Sequence, residues 1–63
     1  MKIGDTVKRT NGASYERGNV GVVIALDTNK QRAQINWLRD HSGQVFEYTK
    51  PRTWMGFKFL VLI

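Results

Sequence analysis

Asn19-Val20-Gly21-Val22-Val23-Ile24-Ala25-Leu26-Asp27, followed by Thr28-Asn29-Lys30 and by Arg32-Ala33-Gln34-Ile35-Asn36-Trp37, carries the clearest strand pattern of the chain. Side chains of an extended chain alternate between two faces. In the first run Val20, Val22, Ile24 and Leu26 therefore share one face, and Gly21, Val23 and Ala25 share the other. A strand apolar on both faces is central in its sheet or sharply bent. Gly21, without a side chain, lets a neighbouring backbone approach and marks the bend that a small closed sheet requires. In the second run Ala33, Ile35 and Trp37 alternate with Arg32, Gln34 and Asn36, the pattern of a half-buried strand with one wet face. Asp27-Thr28-Asn29-Lys30 supplies the turn chemistry that joins the two runs as a hairpin.

Towards the N-terminus, Asp5 to Thr10 suits a short first strand, with Val7 inward and Thr6, Lys8 and Thr10 on the opposite pleat. Asn11 to Gly18 is rich in Asn, Gly and Ser and reads as a long loop. Towards the C-terminus, Arg39 to Gln44 is a second turn, and Val45 to Thr49 alternates bulky residues with Glu47 as a strand would. Pro51 lacks the donor that an interior ladder needs, so that strand is an edge or ends there. Arg52 to Lys58 supplies a last piece of strand around Trp54 and a single helical turn. Phe59 to Ile63 closes the fold as a strand that must be paired, because a bare apolar run aggregates. The prediction is one all-β domain spanning residues 1–63, a small barrel of about five short strands with one helical turn before the last.

Sixty-three residues leave no room for a second core. The absence of cysteine removes disulfides and thiolate metal ligation, and fits a reducing compartment. The longest apolar stretch, Phe59 to Ile63, is too short to span a bilayer, so a soluble, cytoplasmic chain is expected. Ten Lys and Arg against five Asp and Glu give a formal charge of +5. Polyanions, acidic protein surfaces and anionic membranes are all eligible partners for this balance, and nucleic acid or an acidic protein surface, with no membrane, is the expectation.

Gly4-Asp5-Thr6-Val7, then Gly18-Asn19-Val20-Gly21-Val22-Val23, then Ala33-Gln34-Ile35-Asn36-Trp37 resembles the KOW-type and related SH3-like barrels, which open on Gly-Asp-x-Val and carry a glycine in the second strand. The closing run, Arg52-Thr53-Trp54 through Leu60-Val61-Leu62-Ile63, looks like the end of the small SH3-like proteins of tailed bacteriophages. These resemblances imply an SH3-like barrel, phage-encoded, acting on nucleic acid or a nucleic-acid-processing complex. The alternative is a protein-interaction module that binds a host protein or decorates a virion. The opening also looks like that of the plasmid-type dihydrofolate reductases, whose tetrameric pore needs a Val-Gln-Ile-Tyr run; this chain has Gln44-Val45-Phe46-Glu47-Tyr48 instead, which leaves an oligomeric reductase as a remote third reading.

Catalytic apparatus is not legible. Asp40, His41 and Ser42 have triad chemistry but are consecutive, so their side chains diverge, and His41 has no neighbouring His or Cys for a metal. Asp5, Asp27 and Glu47 have no spacing that pairs them. Gly18-Asn19-Val20-Gly21 opens a strand, where a phosphate cradle would open a helix. No enzyme, cofactor or metal is expected. What remains is cations interleaved with aromatic rings: Tyr15, Arg17, Arg39, Tyr48, Lys50, Arg52 and Trp54, a set able to neutralise phosphates and stack bases. Tyr15 and Tyr48 are expected to be exposed, Trp37 and Phe57 to be core, and Trp54 is open to either reading. Lys8, Arg9, Lys30 and Arg32 form a second basic group on the first strand and around the hairpin.

Overall fold

The computed structural model describes residues 1–63 and is all-β. Its strands are β1 (Thr6–Arg9), β2 (Val20–Asp27), β3 (Arg32–Arg39), β4 (Thr53–Gly56) and β5 (Leu60–Leu62), with a 3-10 turn at Phe57–Phe59. All neighbours pair antiparallel in one sheet of order β4-β3-β2-β1-β5. No helix is long and apolar enough to cross a membrane.

This order dictates the shape. β4 and β5 occupy opposite margins of the sheet, yet only the 3-10 turn joins them. In a flat sheet, four inter-strand gaps of about 4.8 Å would part the margins by about 19 Å. A three-residue 3-10 segment advances only about 2 Å per residue. The sheet must therefore curl until its margins approach. The turn is tied at both ends, with Phe57 N–H donating to Gln31 C=O and Thr10 N–H to Phe59 C=O, both at 2.9 Å.

The concave face carries one core of Val7, Val23, Ala33, Ile35, Trp37 and Leu60, with Leu26, Phe46, Met55 and Phe57 packed around it. Each fully buried aliphatic side chain stabilises the fold by roughly 1.5–3 kcal/mol. Trp37 is buried as expected, and its indole N–H donates to Thr53 Oγ1 at 3.0 Å. Phe57 packs on the rim of the core, half-buried.

Two expectations are corrected. Val20, Val22, Ile24 and Leu26 do not share a face, because the β2–β3 register shifts between Val23 and Ala25 and again between Val20 and Gly21. The shift at Ile24 reverses the alternation, so Val23 before it and Leu26 after it both reach the core. Val45–Thr49 is also not a strand: only Val45 bridges, to Arg39, and ladder pairing resumes at Thr53. Extending the β3–β4 register two residues past Ile35–Thr53 would set Pro51 opposite Trp37, where its missing N–H ends the ladder. The closing strand pairs with β1 on one side only, and Val61, Leu62 and Ile63 stay exposed.

At Gly21 a Cβ would stand 2.5 Å from Ile35 Cγ2 and 2.6 Å from Asn36 O, whereas at Gly56 the nearest atom is 3.5 Å away. Gly21→Ala is expected to destabilise the fold by about 2 kcal/mol through overpacking, and Gly56→Ala to leave it within about 0.5 kcal/mol. Urea unfolding of the two variants beside the parent chain checks both values.

Candidate binding surface

Between the Arg39–Val45 bridge and the Ile35–Thr53 pair, β3 moves four residues while the opposing chain moves eight. The surplus is looped out as an excursion around Glu47 to Lys50. Phe46 anchors it: its N–H donates to Leu38 C=O at 3.0 Å, and its ring packs against the core. Tyr48 lies with its ring 6.4 Å from that of Phe46, tilted by 46°, and Lys50 Nζ sits 4.7 Å above the Phe46 ring. An exposed cation–ring contact of this kind contributes roughly 0.5–1 kcal/mol. The excursion stands away from β3 and borders a cleft of about 360 Å³, with Asn36, Trp37 and Leu38 on one wall and Phe46, Glu47, Tyr48 and Arg52 on the other.

Arg39 is the junction of this surface with the first loop. Its backbone pairs with Val20 on one side and Val45 on the other. Beyond that pair, Gly18 closes the 11–18 loop with a φ of 91°, so near His41 that a Cβ on Gly18 would lie 3.3 Å from the His41 Cβ. Tyr15 and Arg17 are exposed in this loop, with Arg17 Nε donating to Gly12 C=O at 2.8 Å. Tyr15, Arg17, Arg39, Tyr48, Lys50 and Arg52 thus belong to three adjoining segments. Tyr15 and Tyr48 are the open rings, 69% and 67% exposed.

Trp54 leaves this group. It is 42% exposed on β4, opposite Gln34, and the Arg32 guanidinium stacks 4.8 Å above its ring. Arg32 also lies 3.4 Å from Asp27, without hydrogen-bond geometry at its Nε. The second basic group is divided. Lys8 is level with Val20, Arg32 with Asp27, and Lys30 in the hairpin turn, so Lys8 and Arg32 stand at opposite ends of β2. Arg9 is committed inward, donating to Glu16 Oε2 at 2.7 Å and to Asn11 Oδ1 at 3.0 Å, and it braces the 11–18 loop. Arg9 and Arg32 are the two of ten cationic side chains held in ion pairs, which leaves eight without one. Phe46, Asn36 and Leu38 complete the cleft without having been legible as site residues; the Phe46–Tyr48 alternation was visible, but not that it would leave the ladder.

Asp40, His41 and Ser42 build a turn. Asp40 Oδ1 accepts from Ser42 Oγ at 2.6 Å, Ser42 N–H at 2.9 Å and Gln44 N–H at 3.0 Å. The Ser42 hydroxyl, above all, and these backbone N–H groups hold the Asp40 carboxyl below the usual carboxylate range, with a smaller contribution from His41. No three His, Asp or Glu side chains converge in a way that would hold a metal ion. Comparison with protein-family models, curated proteins and solved structures returns no match for this chain.

Because the folded carboxyl titrates low, its support of the turn is complete above the ordinary carboxylate range and is lost as pH falls through the depressed value. Ser42→Ala is expected to raise the Asp40 pKa towards its ordinary value and to loosen the 40–44 turn at a higher pH than in the parent. An NMR titration of the Asp40 carboxyl carbon in both chains measures the shift.

Proposed function

We propose that the chain is a small non-enzymatic module of the SH3-like kind that holds a strand of nucleic acid across the cleft between β3 and the excursion. In this reading Tyr48 is the stacking platform, and Arg39, Lys50, Arg52 and Arg17 meet the phosphates, with Tyr15 as a second ring on the neighbouring loop. The observation that carries it is the cleft itself, where the open Tyr48 ring and Arg52, a cation without an acidic partner, share the lining with Glu47, and Lys50 lies on the same excursion. Phosphates supply the charge that these side chains lack, and a flat ring accepts any base. Glu47 is the one acidic side chain on the excursion. The strand order, with a 3-10 turn before β5, supports the SH3-like assignment, and the likeness of the closing run to small phage proteins supports a phage-encoded origin.

Four phosphate contacts on a single strand imply a slope of about −3 for log affinity against log salt, or about a fifty-fold loss between 50 and 200 mM. Fluorescence anisotropy of a labelled oligothymidylate, titrated at several salt concentrations, measures this. Tyr48→Ala is expected to weaken binding about ten-fold through the lost stacking, and Arg52→Ala to reduce the slope by about 0.7. An anisotropy that stays flat at low salt rejects the reading.

A further inference from the structure

We infer that the outer edge of β4 receives an extended acidic segment of another protein as an added strand, with Trp54 as its anchor. It concerns the β4 edge and not the cleft, and shares only Arg52 with the nucleic-acid reading.

The direction of the backbone follows from Val23. Its N–H donates to Asp5 C=O at 2.9 Å, and its C=O accepts from Gly4 N–H at 2.8 Å, so both point to the β1 side. In antiparallel pairs the two groups of a residue point the same way, and successive residues alternate. Ile35, the partner of Val23, therefore directs its groups to β4. The β3–β4 ladder runs through Ile35–Thr53 and Ala33–Met55, and the bond from Phe57 N–H to Gln31 C=O continues the same register. Trp54, between Thr53 and Met55, must then turn its N–H and C=O away from β3, where the sheet has no further strand. None of the turn or loop backbone bonds uses those two groups.

β4 itself, Thr-Trp-Met-Gly, has no charged residue, proline or bulge to blunt the edge. The cations lie beside it. Arg32 covers one face of the Trp54 ring, Lys30 is in the adjoining hairpin turn, and Arg52 is two residues upstream. Lys58 follows in the 3-10 turn, its Cγ 3.9 Å from the position of a Cβ on Gly56. Against these stands Asp27, already beside Arg32. An acidic strand complements this charge, and Trp and Arg are among the residue types enriched at the energetic centres of protein interfaces. A peptide also matches the donor and acceptor of Trp54 in the way strand addition requires. A phosphodiester offers no donor for the Trp54 C=O, and Arg32 already covers one face of the ring.

The test uses the intact chain, labelled with 15N, and a synthetic peptide of alternating glutamate and threonine, with an oligothymidylate and a lysine–threonine peptide as comparison probes. Amide exchange is followed residue by residue. The expected result is that the Trp54 amide, fast-exchanging in the free protein, is slowed at least ten-fold by the acidic peptide and by neither comparison probe. Trp54→Ala should weaken the peptide at least ten-fold, and Arg32→Gln several-fold, with the fold of each variant confirmed by its amide spectrum. Peptide binding that leaves the Trp54 amide fast overturns strand addition. Protection by the oligothymidylate instead assigns the edge to nucleic acid, and no response to any probe overturns the proposal.

Discussion

At Gly21 the β2 main chain passes so close to Ile35 and Asn36 of β3 that not even a methyl group fits between them. That approach lets the sheet coil tightly where β2 is paired on both sides, with β1 and with β3. Without the coil, β4 and β5 would lie too far apart for a 3-10 turn to join, and Leu60 would not meet Val7, Ile35 and Trp37. The register shifts flanking this point add twist in the same place. Core, chain closure and the placing of both surfaces thus rest on one backbone contact.

The core is small, and the charge around it is unbalanced. Eight cationic side chains without an ion pair repel one another across a surface of 4255 Å². An anionic ligand that binds the folded chain relieves this repulsion and adds to stability by mass action. Binding and folding are therefore linked here more closely than in a neutral domain. The inward commitment of Arg9 also ties the two ends of the 11–18 loop together, since Glu16 and Asn11 converge on the same guanidinium.

The strands of the central hairpin, the buried Trp37, the bend at Gly21 and the 3-10 turn before the last strand were all legible from period-two patterning and turn chemistry. The true alternation along β2 is hidden in the sequence because a bulge leaves no mark of its own: Ile24 looks like any other apolar residue, and only its pairing reveals that it is supernumerary. Val45–Thr49 has strand composition but lacks a partner register, which depends on where Pro51 falls against Trp37. For the site, residue types were legible and groupings were not. Trp54 and Arg52 are two apart in sequence, but Trp54 stacks with Arg32 from another strand, a relation set by register alone.

The excursion has one more property. Glu47 to Lys50 lie outside every ladder, between a bridge that fixes Phe46 and a strand that restarts at Thr53. Chain added or removed there changes the cleft wall without shifting any strand against another, and doubling such a segment costs only about 0.6 kcal/mol in closure entropy. The molecule thus separates the part that must keep its length, the hairpin around Gly21, from a part free to vary it. New specificities can be tried at that position by insertion as well as by substitution, while the coiled sheet beneath stays the same.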